Sequence, residues 1–336
     1  MHVLYSKVIV TKYGGPEVLE MVEGSLRPPS TGEILLKVQS AGVALADIMR
    51  REGVYPMSPQ PPFTPGYDVV GMIDMIGEDV TGFNLGERVG VFFQEGVGGY
   101  AEYVYANPIQ LIKIPDSIKS SHANAVLLNY VTAYQMLRRI AKVTEGETIL
   151  IHGASGGVGT ALLELGKLFN LNMFGTASKA NHSIVSKYGA YPIDYKSEDF
   201  VEVLRHCAPN GIDVVFDPIG EENWSRSIET LSQTGRFIGY GFTSAIKEGP
   251  FDNWLKEWKV FQERVQKDKG NPIYFYSVTN LKKEKPIWYK EDCQLLMSLL
   301  EKGKIKPHIA HEIPFKDVRL SHEMIQKSVG KIILIF

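Results

Sequence analysis

The stretch Glu147-Thr-Ile-Leu-Ile-His-Gly-Ala-Ser-Gly-Gly-Val-Gly159 reads as a strand, a glycine-rich turn and a helix start in immediate succession. Thr148 to His152 is a short apolar, β-branched run of the kind that forms a buried parallel strand, and it stops at Gly153. Ala154-Ser155-Gly156-Gly157-Val158-Gly159 follows as an A-x-G-x-x-G variant of the dinucleotide fingerprint, whose small residues let the backbone close around two phosphates. Ala161, Leu162, Leu165, Leu168 and Phe169 then recur at helical spacing, so the turn opens a helix whose N-terminal amides and dipole face the anion. A glycine pattern alone says little. Between a strand and a helix it predicts a dinucleotide site at Ala154, Ser155, Gly156, Gly157 and Val158, against the alternative of a tight turn that is merely glycine-rich.

Downstream, Leu171 to Thr176, Tyr191 to Tyr195, Ile212 to Asp217, Arg236 to Gly241 and Ile273 to Val278 read as strands separated by helical segments. Counted from Thr148 this makes six strands, enough for a doubly wound parallel sheet of the Rossmann type, an α/β architecture. The chain ahead of Ser120 differs. Short strands at Glu33 to Gln39, Val69 to Ile76, Arg88 to Phe92 and Tyr100 to Tyr105 lie between Pro and Gly clusters, which suggests an antiparallel, barrel-like β domain. Near the end, a helix over Glu291 to Lys302 precedes Gly330-Lys-Ile-Ile-Leu-Ile-Phe336, a strand that the β domain could accept. Phe251 to Lys290 is long and polar for a connection and is not assigned throughout.

Composition bounds the function. The 336 residues suffice for two domains, and 36 Lys and Arg against 38 Asp and Glu leave a formal charge of −2. The Lys-containing patches at Lys256 to Lys269 and Lys282 to Lys285 read as solvated faces, so no nucleic-acid partner is expected. Met1-His-Val-Leu-Tyr-Ser-Lys7 lacks the pattern of a secretory signal, and no apolar run approaches a membrane span, so the cytoplasm is the expected compartment. Cys207 and Cys293 stand far apart without C-x-x-C spacing, which encodes neither a disulfide framework nor a cysteine zinc site.

Gly14-Gly-Pro-Glu-Val-Leu19, Pro65-Gly-Tyr-Asp-Val-Val-Gly71, Gly86-Glu-Arg-Val89, Gly99-Tyr-Ala-Glu-Tyr103, Asn129-Tyr-Val-Thr-Ala-Tyr134 and the glycine turn together resemble the medium-chain dehydrogenase/reductases, in their zinc-independent quinone oxidoreductase branch. Phe174-Gly-Thr-Ala-Ser178, Pro192-Ile-Asp-Tyr195, Asp217-Pro-Ile-Gly220 and Gly303-Lys-Ile-Lys-Pro-His-Ile309 are most similar to its vesicle amine transport protein subgroup. The resemblance covers nearly the whole chain. It implies a GroES-like catalytic domain from residues 1–124 and 284–336, a Rossmann cofactor domain over 125–283, and a homodimer.

Zinc-dependent members of this family hold the metal through Cys, His and a further Cys or Asp. The matching positions here are Ala44, Tyr67 and the neighbourhood of Leu128, so no metal is expected. The histidines share no ligand spacing and read as structural or surface residues. In NAD enzymes an acidic residue about twenty positions past the glycine turn binds the ribose 2′-hydroxyl. Gly175-Thr-Ala-Ser-Lys-Ala180 has no carboxylate there, and Ser178 offers a hydroxyl and Lys179 a cation, which predicts NADPH, with Thr176 a further cofactor-binding candidate in the same segment. The alternative is that Lys179 only begins a helix and faces solvent. By resemblance, Tyr195 lies beside the 2′-phosphate, Thr132, Gly241 and Phe242 lie beside the nicotinamide, and Lys331 is a further contact at the domain junction.

Without a metal, the chemistry that fits is hydride transfer to a quinone or an α,β-unsaturated carbonyl, whose conjugation carries the incoming charge to an oxygen that one hydroxyl can protonate. Resemblance supplies Tyr55 at the mouth of the substrate pocket, Tyr67 in the vacated histidine position, and Asp47, an acid read as orienting its loop. Either tyrosine could instead be wall packing. The family's usual Asn is Ala44 here, which removes a donor and enlarges the pocket. A second function stays open: an NADPH-binding, vesicle-protein-like chain with little turnover that acts on membranes or partners. It draws on Trp254, Trp258, Phe261 and Val265, an apolar stripe among basic residues whose commoner meaning is packing on the Rossmann sheet or a dimer interface.

Overall fold

Ile149, Leu150 and Ile151 have no solvent exposure, because the strand Thr148–Ile151 lies inside a parallel sheet covered on both faces. A computed structural model describes residues 3–55, 58–244, 246 and 254–336. They group into two compact units, Met1–Val131 with Lys282–Phe336, and Thr132–Leu281.

In the second unit six parallel strands stand in the spatial order Tyr191–Asp194, Asn172–Ala177, Thr148–Ile151, Ile212–Asp217, Leu231–Gly239 and Ile273–Phe275. Numbered along the chain this is the 3-2-1-4-5-6 order of a doubly wound sheet, with the reversal between the Thr148 and Ile212 strands. All six strands read from the sequence are present. The fifth begins at Leu231 rather than Arg236, because Ser232, Gln233 and Thr234 interrupt the apolar pattern while Leu231 still pairs with Ile212. The helix Gly157–Leu168 follows the glycine turn directly. A Cβ on Gly159 would sit 2.3 Å from the Gly153 carbonyl oxygen, so helix and turn can approach this closely only with glycine there.

The unassigned segment contains the helix Trp254–Asp268, the edge strand Ile273–Phe275 and the helix Val278–Glu284. Trp258, Phe261 and Val265 of the apolar stripe are buried, and the two aromatics pack on Trp224 and Phe237 of the same unit. Arg264 and Lys267 face outward. The stripe is therefore core, and the side chain of Trp254 lies outside the described residues.

The first unit holds a seven-stranded sheet. Its path runs Ile309–Pro314, Lys331–Ile335, Ile34–Val43, Asp68–Ile76, Arg88–Phe92 and Ile112–Lys113, with Tyr103–Ala106 also pairing Ile34–Val43. Every pair is antiparallel except the first. The C-terminal strand joins this sheet, and the predicted helix near the end runs Pro286–Glu301 with proline in its first turn. A separate hairpin, Leu4–Val10 with Leu19–Ser25, went unread because its exposed outer face blurs the alternation. One charged patch is corrected. Lys282 is buried, not solvated: its Nζ donates to the Phe92 carbonyl at 2.8 Å and lies over the Tyr289 ring, and burial lowers its pKa to about 8.

Phe237 is fully buried between its sheet and the Trp254–Asp268 helix. Phe237→Ala should lower unfolding free energy by about 3–5 kcal/mol in urea denaturation; an unchanged midpoint would show that this helix is not part of the core.

Candidate functional site

The candidate site in the second unit is the carboxyl edge of its sheet. Gly153, at φ +64, turns the chain out of the Thr148 strand, and the turn is tied down by Ala154 N–H to Thr176 O and Gly156 N–H to Gly153 O, each 3.0 Å. Asn181 Nδ2 donates to Ser155 Oγ at 3.2 Å. Among the described residues, the amides of Ser155, Gly157 and Val158 meet no backbone carbonyl. A row of unpaired N–H groups at the start of a twelve-residue helix is the arrangement a pyrophosphate fits.

A buried polar chain fixes this turn. Gly153 N–H donates to Thr176 Oγ1 (3.3 Å), which lies 3.1 Å from His152 Nδ1, while His152 Nε2 lies 3.0 Å from Ser227 Oγ. Ser227 Oγ donates to Asp217 Oδ2 at 3.0 Å, and Asp217 also accepts from Ile219 N–H and Asn223 Nδ2. Only one proton arrangement satisfies all members. The Ser227 proton goes to Asp217, so Nε2–H must donate to Ser227, and Nδ1 must accept from Thr176. Burial lowers the His152 pKa and keeps the ring neutral, as this arrangement requires. The side chain of Thr176, predicted as a cofactor contact, thus braces the turn instead. His152, Ser227 and Asp217 were not read as one group because they are far apart in sequence.

Ser178 and Lys179 follow the Asn172–Ala177 strand, and Tyr195 follows its neighbour, where Ala177 pairs with Asp194. Lys179 is exposed and Tyr195 is 59% exposed, so cation, hydroxyl and phenol stand open at one end of two adjacent strands. Asp194, the acid of this edge, accepts from Lys196 N–H and Ser197 Oγ in its own turn. Past the fifth strand, Gly241 packs against Pro218, and the Phe242 ring is buried in a stack on Phe275, centroids 4.9 Å apart. Thr132 is buried at the start of this unit.

In the first unit, Asp47 is a clamp. Its Oδ2 accepts from Ala44 N–H (2.8 Å) and from Tyr100 O–H (3.3 Å), and its Oδ1 accepts from Gly66 N–H (3.1 Å). Burial pushes its pKa up to about 7, opposed by those bonds and by Lys331. With no exposed surface, Asp47 joins two loops, in keeping with an orienting role. Behind it, Arg51 Nη1 donates to His322 Nδ1 (3.1 Å), and His322 Nε2 faces Tyr100 Oη (3.3 Å). Burial, then Arg51, lowers the His322 pKa to about 3. Lys331 does not face outward: its Nζ is 3.7 Å from Asp68 Oδ1 and the residue is 3% exposed, so the predicted cofactor contact is replaced by an internal ion pair.

Tyr67 is 3% exposed, stacks on Phe92, and accepts a hydrogen bond from Arg50 Nε at 2.7 Å. Burial holds its pKa well above the usual phenol value, so it is a neutral donor. The Arg50 guanidinium lies over the rings of both Tyr55 and Tyr67, at 4.8 and 5.1 Å. Arg50 was missed in the sequence because Arg50 and Arg51 are adjacent and only structure separates their roles. Zinc does not fit here: the three family positions carry a methyl group, a guanidinium-bound phenol and an isobutyl group. Among the described residues no three His, Cys, Asp or Glu converge on one point.

Fold and site together define a two-unit dinucleotide-binding oxidoreductase scaffold. Residues 188–334 match the model described as zinc-binding dehydrogenase, and residues 30–116 the alcohol dehydrogenase GroES-like domain. The chain is 32% identical to the quinone oxidoreductase of Lama guanicoe over 340 residues, 99% of this chain and 98% of that one. It is 31% identical to the synaptic vesicle membrane protein VAT-1 homolog of Danio rerio, covering 98% of this chain and 70% of that one. Escherichia coli quinone oxidoreductase complexed with NADPH superposes with a TM-score of 0.86 at 25% identity, covering 98% and 100% of the two chains. The chain belongs to the medium-chain dehydrogenase/reductase family, with the fold expected of it: a GroES-like unit and a Rossmann unit.

Both buried imidazoles have folded pKa values below the ordinary value of about 6.5, so below that pH the unfolded chain binds more protons and stability falls as pH drops. The urea midpoint should therefore decline between pH 7.5 and 5, with a shallower decline in His322→Gln. Equal slopes for the two proteins would contradict the neutral, buried assignment of His322.

Proposed function

We propose that the protein is an NADPH-dependent oxidoreductase that passes hydride, without zinc, to a quinone or an α,β-unsaturated carbonyl. The observation that carries this reading is the carboxyl edge of the parallel sheet: a glycine turn whose amides at Ser155, Gly157 and Val158 meet no backbone carbonyl among the described residues, beside an end of two strands that offers Ser178, Lys179 and Tyr195. The family membership and the NADPH complex of the Escherichia coli relative support it.

NADPH, when bound, supplies a hydride at C4 of its nicotinamide. The amides of Ser155, Gly157 and Val158 would hold the pyrophosphate, and Ser178, Lys179 and Tyr195 the 2′-phosphate. Thr132, Gly241 and Phe242 are the proposed nicotinamide-side residues. Tyr67 is proposed as the group that hydrogen-bonds the acceptor oxygen. Its oxygen already accepts from Arg50, which draws charge from the phenol and strengthens its remaining O–H as a donor. Asp47 fixes the Ala44 and Gly66 loops and touches no reacting atom. A conjugated acceptor suits such a site, because a neutral hydroxyl can stabilise an enolate oxygen, whereas a simple ketone calls for a stronger electrophile.

No described helix is long and apolar enough to cross a membrane, and the Trp258, Phe261 and Val265 stripe is covered within its own unit. Neither favours a membrane-binding reading over the reductase.

Fluorescence titration should show tighter binding of NADPH than of NADH, and Ser178→Asp, which restores a carboxylate at the strand end, should weaken NADPH by about tenfold or more. Tighter NADH binding by the unaltered protein would overturn the cofactor assignment. Screening NADPH oxidation across quinones, 2-alkenals and enoyl thioesters should reveal turnover with a conjugated acceptor and none with saturated ketones.

A further inference from the structure

Arg50 is 8% exposed, yet among the described residues no carboxylate reaches it. Its Nε–H goes to Tyr67 Oη, and among the described residues its Nη1 and Nη2 meet no acceptor. The acids of its own helix are otherwise engaged. Asp47 bonds Ala44, Gly66 and Tyr100, and Glu52 pairs with Arg51. Among the described residues the charge is met by the Tyr67 oxygen and the rings of Tyr55 and Tyr67 rather than by a counter-ion, and its Nη atoms are not among the fully enclosed ones, so a ligand can reach them. The two rings and the Tyr67 oxygen engage the ring-side contacts and Nε–H of the guanidinium, and among the described residues the fork of Nη N–H donors meets no acceptor. That fork matches the two oxygens of a carboxylate.

The position is held rigidly. Tyr67 is fixed between Phe92 and the backbone at Gly96, where a Cβ would come within 2.4 Å of the ring. Arg50 follows Asp47 by one helical turn on Leu45–Glu52, whose first turn Asp47 clamps. Ala44, where the family usually has Asn, caps this same helix with only a methyl group.

We infer that Arg50 is a specificity residue that binds a carboxylate carried by the acceptor, so that the substrate class is a conjugated carbonyl compound bearing an acidic group. This rests on the reductase reading above and names the acceptor more closely. Tyr67 then has two linked tasks: it holds the guanidinium through its oxygen and offers its O–H to the acceptor carbonyl. The anion supplies the counter-ion that the described residues do not.

The test compares trans-3-benzoylacrylate with its methyl ester as acceptors for the NADPH-loaded enzyme. The acid should have a kcat/KM about 10- to 100-fold above the ester, mainly through a lower KM, the weight of one charge-assisted bidentate pair. Arg50→Met should bring the acid-to-ester ratio close to one, and Arg50→Lys, which keeps the charge without the fork, should give an intermediate ratio. Calorimetry with the unreactive 3-benzoylpropionate and its methyl ester reads the same preference without turnover, and thermal melts verify that each variant is folded. Equal constants for acid and ester in the unaltered enzyme would overturn the role of Arg50 while leaving the reductase intact. Tight 3-benzoylpropionate binding without NADPH oxidation by any acceptor would support Arg50 and overturn the reductase reading.

Discussion

A glycine turn can cradle phosphate only if its backbone is held in place, and here the buried chain from Thr176 through His152 and Ser227 to Asp217 ties it down. It joins the ends of three adjacent strands at the point where the order of the parallel sheet reverses. Because each member has one satisfiable protonation state, the chain has a single direction of donation that ends on a carboxylate. Gly153, at the open end, then turns the backbone so that the following amides are left for a ligand rather than for the protein itself.

The GroES-like unit uses a similar device for a different end. Arg51, His322, Tyr100 and Asp47 form a second buried polar chain that terminates on the amides of Ala44 and Gly66, the loops where related enzymes place metal ligands. Here those loops carry Ala44 and Tyr67, and Arg50 enters beside them. A positive charge and a hydroxyl thus stand side by side here, in a guanidinium and the phenol that it holds. In the proposed reaction such a pair suits acceptors that are already conjugated, since its electrophilic help is weaker than that of zinc.

Much of this was legible in the sequence where the signal is local. The apolar run before Gly153, the small residues after it and the alternation of strands and helices each follow from short-range pattern, and all six strands of the parallel sheet were readable. The strand Leu231–Gly239 was read short because Ser232, Gln233 and Thr234 break its apolar run, and of its first half only Leu231 pairs with a neighbouring strand. Side-chain direction was less legible. Thr176 sits in the right segment but turns toward His152, and Lys331 turns toward Asp68. Lys282 shows the same limit, since a charged residue in a basic run gives no sign that a carbonyl and two aromatic rings await it. Arg50 differs from Arg51 only in its three-dimensional partners. What spacing conveys is which residues share a segment; what it omits is which distant residue each one meets.

The central claim is that a turn held by His152 presents the amides of Ser155, Gly157 and Val158 to a cofactor pyrophosphate. Backbone amide resonances of 15N-labelled protein titrated with NADPH measure this directly. Large shifts at these three amides, saturating together with cofactor binding, are predicted. Saturation of binding with these amides unmoved would contradict the account.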